Sequence, residues 1–409
     1  MMNKALSLTA FLFIGQFLFP QGLHDKCGTD QFDSYLKNQL PEYASFRVKQ
    51  EQPVRNDNYF SKSAGTILIP VVVHVIYRKS EQNISDAQIQ SQIDVLNKDY
   101  NKLNWDTVKV PSVWKNLIAD CEIEFILANR DPNGKFTNGI TRKETTIINI
   151  ASIGGNVYYQ SSKGGQDIWD RDRYLNIWVC EILGGVYGFS SLPGSPAASD
   201  GLVIVSESFG SAGSVTSPTD KGRTTTHEIG HWFDIFHLWG LSDCGDDFVA
   251  DTPIQLKENF GCKTYPHNTT CNTTPDGEMF MNFMDYSDDN CLNMFTIDQK
   301  SRMLNTINTV RASLLTSNGY NSITTIDKID IKVFPSPASD YLKIKFDTDL
   351  ELFNIELLDI NGRVISAIDI AQSRSNQSIN VTQIKNGMYF IKLYTSKGIL
   401  TEKVLVWHD

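Results

Sequence analysis

Apolar residues in this chain follow three different periods. The run TILIPVVVHVIY at 66–77 is apolar at nearly every position and rich in β-branched residues, the pattern of a strand buried on both faces. A helical period replaces it in SDAQIQSQIDVLNKDYNKLN, where Ile89, Ile93, Leu96, Tyr100 and Leu103 share a face and Ser85 stands at the N-cap. Strand-like runs recur at 122–128, 174–182 and 201–206. A second helix covers a histidine-rich stretch near 227. A third begins at Thr296, where Thr296 and Gln299 make a capping-box pair and Leu304, Ile307, Val310 and Leu314 line one face. This order predicts an α+β fold, a twisted sheet backed on one side by helices. After about Asn318 strict alternation takes over, with Asn361-Gly362 and Asn386-Gly387 as hairpin turns, and predicts a separate β-sandwich over 326–409.

The two ends change the picture. A single Lys4 precedes mostly apolar residues from 5 to 19, which predicts a signal peptide over 1–22. The polar, weakly periodic stretch at 23–65 reads as a prosegment and 66–318 as the principal domain. No later segment is apolar for long enough to span a bilayer. The 409 residues are about 41% apolar and 21% charged, a globular composition, and a net charge of −10 excludes a nucleic-acid partner. Export also decides how the cysteines read. Cys244, Cys262, Cys271 and Cys291 predict two disulfides with three pairings open, Cys121 and Cys180 read as buried thiols or a pair, and Cys27 is the odd thiol.

The chemistry concentrates in TTTHEIGHWFDIFHLWG at 224–240. His227 and His231 are four apart and share a helix face, so both imidazoles can aim at one point. His237 joins them only if the helix ends between them, with a sharp turn near Asp234 that needs a residue tolerant of positive φ. Three histidines suit zinc, which takes nitrogen at about 2.0–2.1 Å, and leave one position open, as catalytic sites do. Glu228 sits beside the first histidine and reaches the solvent ligand, as a general base should.

The same stretch, followed by MNFMDYSDDNCLNMFT at 281–296, resembles the metzincin metalloproteases, and with DFVADTP at 247–253 and the four cysteines it resembles the pappalysin family over about 66–315. One departure is Asp234, where the family pattern usually has Gly. The resemblance implies a secreted zinc endopeptidase acting on protein or peptide substrates through a zinc-activated water. Glu228 is its general base, Tyr286 stabilises the oxyanion, and Met284 forms the floor beneath His227, His231 and His237. The strand at 201–208 is placed like the edge strand that binds an extended peptide. Asp288 and Asp289 fall where a pocket wall would favour Arg or Lys just after the cut, the alternative being two solvated loop acids. The family's calcium loop falls at 243–253, with Asp247, Asp251 and the Thr252 carbonyl as candidates. The family pattern pairs Cys244 with Cys271 and Cys262 with Cys291. Related pro-enzymes carry a Cys-Gly element like Cys27-Gly28, which would fill the open zinc position and keep the enzyme latent; the alternative is a free thiol.

The final module, with PSPASD, DINGR and NGMYFIKL at their usual spacing, resembles the C-terminal sorting domain of the type IX secretion system. That implies passage through the periplasm with the type IX machinery as partner, and a location outside the cell or on its surface. Two other readings compete: an inactive adhesion protein on the same scaffold, and a zinc amidase. The intact Glu228 counts against the first, and the Met-turn and edge strand against the second.

Overall fold

The computed structural model describes residues 26–53, 65–155, 157–271, 274–320, 331–346, 352–373, 376–395 and 398–408. The expected signal peptide at 1–22, residues 23–25 and 54–64 of the expected prosegment, and the 326–330 start of the C-terminal module lie outside the described residues.

Two short helices come first, α1 (Thr29–Gln39) and α2 (Pro41–Gln50). Their apolar stripes are narrow, with Phe32 and Leu36 buried in α1 and Tyr43 in α2, which is why periodicity alone hides them. Next comes a six-stranded sheet: β1 (Ile67–Tyr77), β2 (Ile123–Leu127), β3 (Ile140–Glu144), β4 (Leu175–Val179), β5 (Gly188–Ser190) and β6 (Leu202–Ile204). Its order is β2-β1-β4-β6-β5, and β3 joins β1 along 73–77. The eleven residues of β1 are long enough to pair with β2 at one end and β3 at the other. Neighbouring Val72 and Val73 are both fully buried, so both faces of β1 are covered. All pairings are parallel except β5 with β6.

Helix α3 (Asp86–Tyr100) starts at Ser85, whose hydroxyl accepts from the Gln88 amide at 3.1 Å. Ile89, Ile93, Leu96 and Tyr100 pack against Val71, Val73 and Val75 of the sheet. Leu103 departs from expectation: left-handed Lys102 (φ 54°) turns the chain away, and Leu103 is 71% exposed. The polar residues of α3 that point inward hold the next helix, α4 (Arg223–Trp232). Gln92 accepts from the Thr225 hydroxyl at 2.9 Å, and Asp99 accepts from that of Thr226 at 2.9 Å. Helix α5 (Ile297–Asn308) carries the Thr296–Gln299 capping box. It ends at Asn308, so Val310 lies past the helix and Leu314 is buried from a later turn.

The C-terminal strands are β7 (Ile331–Phe334), β8 (Tyr341–Phe346), β9 (Leu352–Leu358), β10 (Val364–Ser373), β11 (Gln377–Asn380), β12 (Gly387–Thr395) and β13 (Gly398–Val406). They form antiparallel sheets ordered β10-β9-β12-β13 and β11-β8-β7, whose inward residues, among them Leu342, Leu357 and Ile391, share one core. Asn361-Gly362 turns β9 into β10, with Gly362 at φ 76°. Asn386-Gly387 closes no hairpin, because β11 and β12 belong to different sheets and Gly387 opens β12. Among the described residues no helix is long and apolar enough to cross a membrane.

Candidate active site

Helix α4 ends in a way that decides the site. The Asp234 amide bonds to the His231 carbonyl at 2.8 Å and the Ile235 amide to the Gly230 carbonyl at 2.9 Å, while Asp234 itself is left-handed at φ 73°. This pair of bonds is a Schellman motif, which reverses the chain and returns His237 to the helix face. The Nε2 atoms of His227, His231 and His237 then lie 3.0–3.2 Å from one another.

Each Nδ1 meets an acceptor: the Phe283 carbonyl at 2.7 Å, the Ile235 carbonyl at 2.7 Å and an Asp30 carboxylate oxygen at 2.9 Å. Those acceptors fix the proton on Nδ1, so three Nε2 lone pairs converge on one point. Burial lowers the His227 pKa to about 3 and drives His231 well below the imidazole range, so both rings are neutral. Three lone pairs this close repel unless a cation lies between them, and the set therefore fits a bound metal ion. Cys27 is the fourth member, with all four donor atoms within 4.8 Å of one another.

Cys27 reaches this point because the chain before α1 lies along the cleft. The Gly28 amide bonds to the Gly188 carbonyl at 2.8 Å and the Tyr187 amide to the Lys26 carbonyl at 2.9 Å. The strand so engaged is β5, the sheet edge. The expected edge strand at 201–208 is internal instead, because β6 is covered on both sides by β4 and β5. Gly188 is needed here, since a Cβ on it would stand 3.2 Å from the Glu228 side chain and 2.8 Å from that of Ile204.

Glu228 is fully buried, and burial raises its pKa to about 7. The Thr29 hydroxyl donates to its Oε2 at 2.8 Å and accepts from the Ser190 amide at 2.9 Å. Sequence reasoning missed Thr29 and Asp30, although both stand in the same short stretch as Cys27.

Met284 is fully buried beneath α4. A Cβ on Gly230 would come within 2.5 Å of its sulfur, so the second variable position of the histidine motif must be glycine for Met284 to fit. Tyr286 lies beside the histidines, 5.8 Å from His227 and 5.0 Å from His237 between ring centroids, and its hydroxyl donates to the Cys27 carbonyl at 3.1 Å. Trp239, which the sequence did not mark, stacks on His237 at 4.4 Å and 9°. The two pocket acids part company. Asp288 accepts from the Lys26 ammonium at 2.9 Å, and Lys26 also reaches the Ser287 carbonyl at 3.1 Å. Asp289 is buried and accepts from the Lys221 and Arg223 amides at 2.8 and 3.2 Å, anchoring the start of α4.

The loop after His237 is stapled by Cys244–Cys271 and Cys262–Cys291. Cys121 and Cys180 are buried free thiols and do not pair. Asp247 is buried and accepts from the Thr252 hydroxyl at 2.8 and 2.9 Å. Asp251 does not join it: its carboxylate accepts from the Thr296 hydroxyl at 2.6 Å and the Asp298 amide at 2.9 Å, at the start of α5.

A sheet with one antiparallel edge strand, a helix ending in a turn that delivers a third histidine, and a methionine beneath them define a metalloendopeptidase of metzincin type. Residues 159–308 match the family described as pregnancy-associated plasma protein-A, and residues 332–407 match the secretion system C-terminal sorting domain. An extracellular metalloprotease of Colletotrichum graminicola is 39% identical over 289 residues, 67% of this chain and 90% of that one. Another, of Verticillium alfalfae, is 36% identical over 58% of this chain and 76% of its own. Mature mirolysin of Tannerella forsythia, solved with a cleaved peptide, superposes with a TM-score of 0.60 at 47% identity, covering 61% of this chain and 96% of its own. A promirolysin mutant of the same organism gives 0.64 at 41% identity, covering 71% and 97%. The chain belongs to the pappalysin family of metalloproteases, with a catalytic metal, and is a secreted protein.

Proposed function

We propose that this chain is the latent precursor of a secreted zinc endopeptidase, with residues 23–65 as prosegment, 66–318 as catalytic domain and 326–409 as the module handled by the type IX machinery. The convergence of three Nε2 atoms within 3.2 Å, each ring oriented through its Nδ1, is the observation that carries this reading. His227, His231 and His237 would hold zinc, which when bound polarises a scissile carbonyl and makes water acidic enough to lose a proton near pH 7. Glu228 takes that proton and returns it to the leaving amine. Tyr286, whose hydroxyl now meets a prosegment carbonyl, donates to the oxyanion once a substrate lies there. Gly188–Ser190 offers main-chain hydrogen bonds to an extended substrate.

Cys27, whose sulfur lies with the three imidazole nitrogens within 4.8 Å, would help hold the metal and so keep the enzyme latent. The ion pair of Lys26 with Asp288 supports a preference for a basic residue after the cut, because a basic side chain already fills that pocket. Calcium at the 243–253 loop is a further element of the proposal, resting on Asp247. Burial holds this carboxyl at about 7, and a divalent cation would keep it ionised. A calcium-selective chelator should then lower the melting temperature, and an unmoved melt would remove calcium from the reading.

Glu228→Ala decides the mechanism. Peptide hydrolysis should fall roughly 10²–10⁴-fold while zinc stays bound in stoichiometric amount. Activity within tenfold of the parent, or zinc lost along with activity, would overturn the assignment.

A further inference from the structure

Asp234 is an odd residue for its position, because at φ 73° an aspartate carries backbone strain that glycine would not. Its carboxylate is fully engaged. Oδ1 accepts from an Arg47 guanidinium nitrogen at 2.6 Å, and Oδ2 accepts from one of Arg302 at 2.7 Å. Arg302 also bonds the Asp234 carbonyl at 2.6 Å, and its remaining donors reach past the turn to the carbonyls of Gln50 at 2.7 Å and Gln52 at 2.9 Å. Those carbonyls belong to the end of α2 and the residues just after it, where backbone acceptors have no helical partner and a cation is favoured. The Phe236 ring meets both arginines, 5.5 Å from the Arg47 guanidinium and 5.0 Å from that of Arg302. Arg47 is fully buried.

We infer that Asp234, Arg302 and Phe236 form a docking site for an arginine-bearing helix end, and that its occupant is α2 of this same chain. The inference rests on residues 23–65 being a prosegment, and it adds a second hold on that segment, separate from Cys27. The recognition is reciprocal: the catalytic domain offers a carboxylate to the arginine of α2, and α2 offers carbonyls to the arginine of the catalytic domain. Each body brings its own internal counter-charge, since Arg47 lies 3.7 Å from Asp33 and Arg302 faces Asp234. The segment can therefore leave without stranding a lone charge on either side. Cutting the chain after α2 would leave these contacts in place, so the site would still hold the segment.

The test uses the full-length precursor and reads two quantities, hydrogen exchange across 41–50 and the alkylation rate of Cys27. Arg47→Met keeps the length and apolar stem of the side chain and removes only its charge. It should speed both readouts roughly tenfold or more, because the seated segment loses its charge-assisted hydrogen bond to Asp234. Asp234→Gly keeps the left-handed turn and should do the same. The double variant should be no faster than the faster single one, since both remove one interaction. Exchange within threefold of the parent in Arg47→Met, or effects that simply add, would overturn the docking site. Fast Cys27 alkylation in the parent with slow exchange across 41–50 would remove the Cys27 latency reading and leave the docking site standing.

Discussion

Thr29→Val in the full-length precursor should make the enzyme leak. The substitution is nearly isosteric and removes one oxygen that serves two buried partners, Oε2 of Glu228 at 2.8 Å and the Ser190 amide at 2.9 Å. A hydrogen bond to a charged group contributes about 1.5–3 kcal/mol, and an orphaned buried amide costs about 1–3 kcal/mol. Their sum, about 2.5–6 kcal/mol, is present only while the prosegment is seated, because both partners regain water when it lifts. The open fraction should therefore rise about 10²–10⁴-fold. The assay is the initial rate on a quenched peptide before any processing is visible on a gel, normalised to fully matured enzyme, from which residue 29 is absent. Thr29→Ser keeps the oxygen and should stay within threefold of the parent. A rise below fivefold in the valine variant, or a serine variant equally leaky, would refute the reasoning that this hydroxyl locks the general base.

Asp288→Asn should flatten the expected preference for a basic residue after the cut, lowering kcat/KM on such peptides roughly tenfold while apolar ones are unchanged. Library profiling of the matured enzyme checks it, and a preserved basic preference sinks the pocket. Asp285 is buried among neutral donors, Gln255, Asn259 and Ser287, and burial raises its pKa from 3.8 to about 6. A carboxyl whose folded pKa is raised costs nothing below about pH 4 and costs stability as pH rises to 6, about 3 kcal/mol in all. Asp285→Asn should accordingly be more stable than the parent at pH 7.5 and equal to it at pH 4. Urea midpoints at the two pH values measure this, and a gap that does not change with pH refutes it.

Much of the site was legible because its parts are close in sequence or carry strict backbone demands. The spacing of His227 and His231 follows from helical geometry, and the turn at Asp234 follows from the need to return His237. Ser85 and Thr296 announced their helices because a capping hydroxyl must stand at one position. Long-range partners were not legible. Nothing local tells that Thr29 meets Glu228, or that Asp30 orients His237. The edge strand was misassigned for a similar reason: the three residues of β5 are too short to show a period, whereas β6 is apolar and conspicuous because it is internal. Leu103 and Val310 kept the helical period beyond the true ends, since periodicity does not see a left-handed residue such as Lys102. Gly230 needed the structure, because its reason is a methionine more than fifty positions away.

Phe32 and Leu36 of α1 and Tyr43 of α2 join the cluster that contains Trp178, Phe189 and Val203, on the sheet surface turned away from α3, with the rings of Phe32 and Phe189 5.2 Å apart. Removal of residues 23–65, as proposed above, would therefore do more than empty a groove: it would uncover an apolar ledge on the flank of β5, beside the histidines, on which bulky hydrophobic stretches of a substrate would rest.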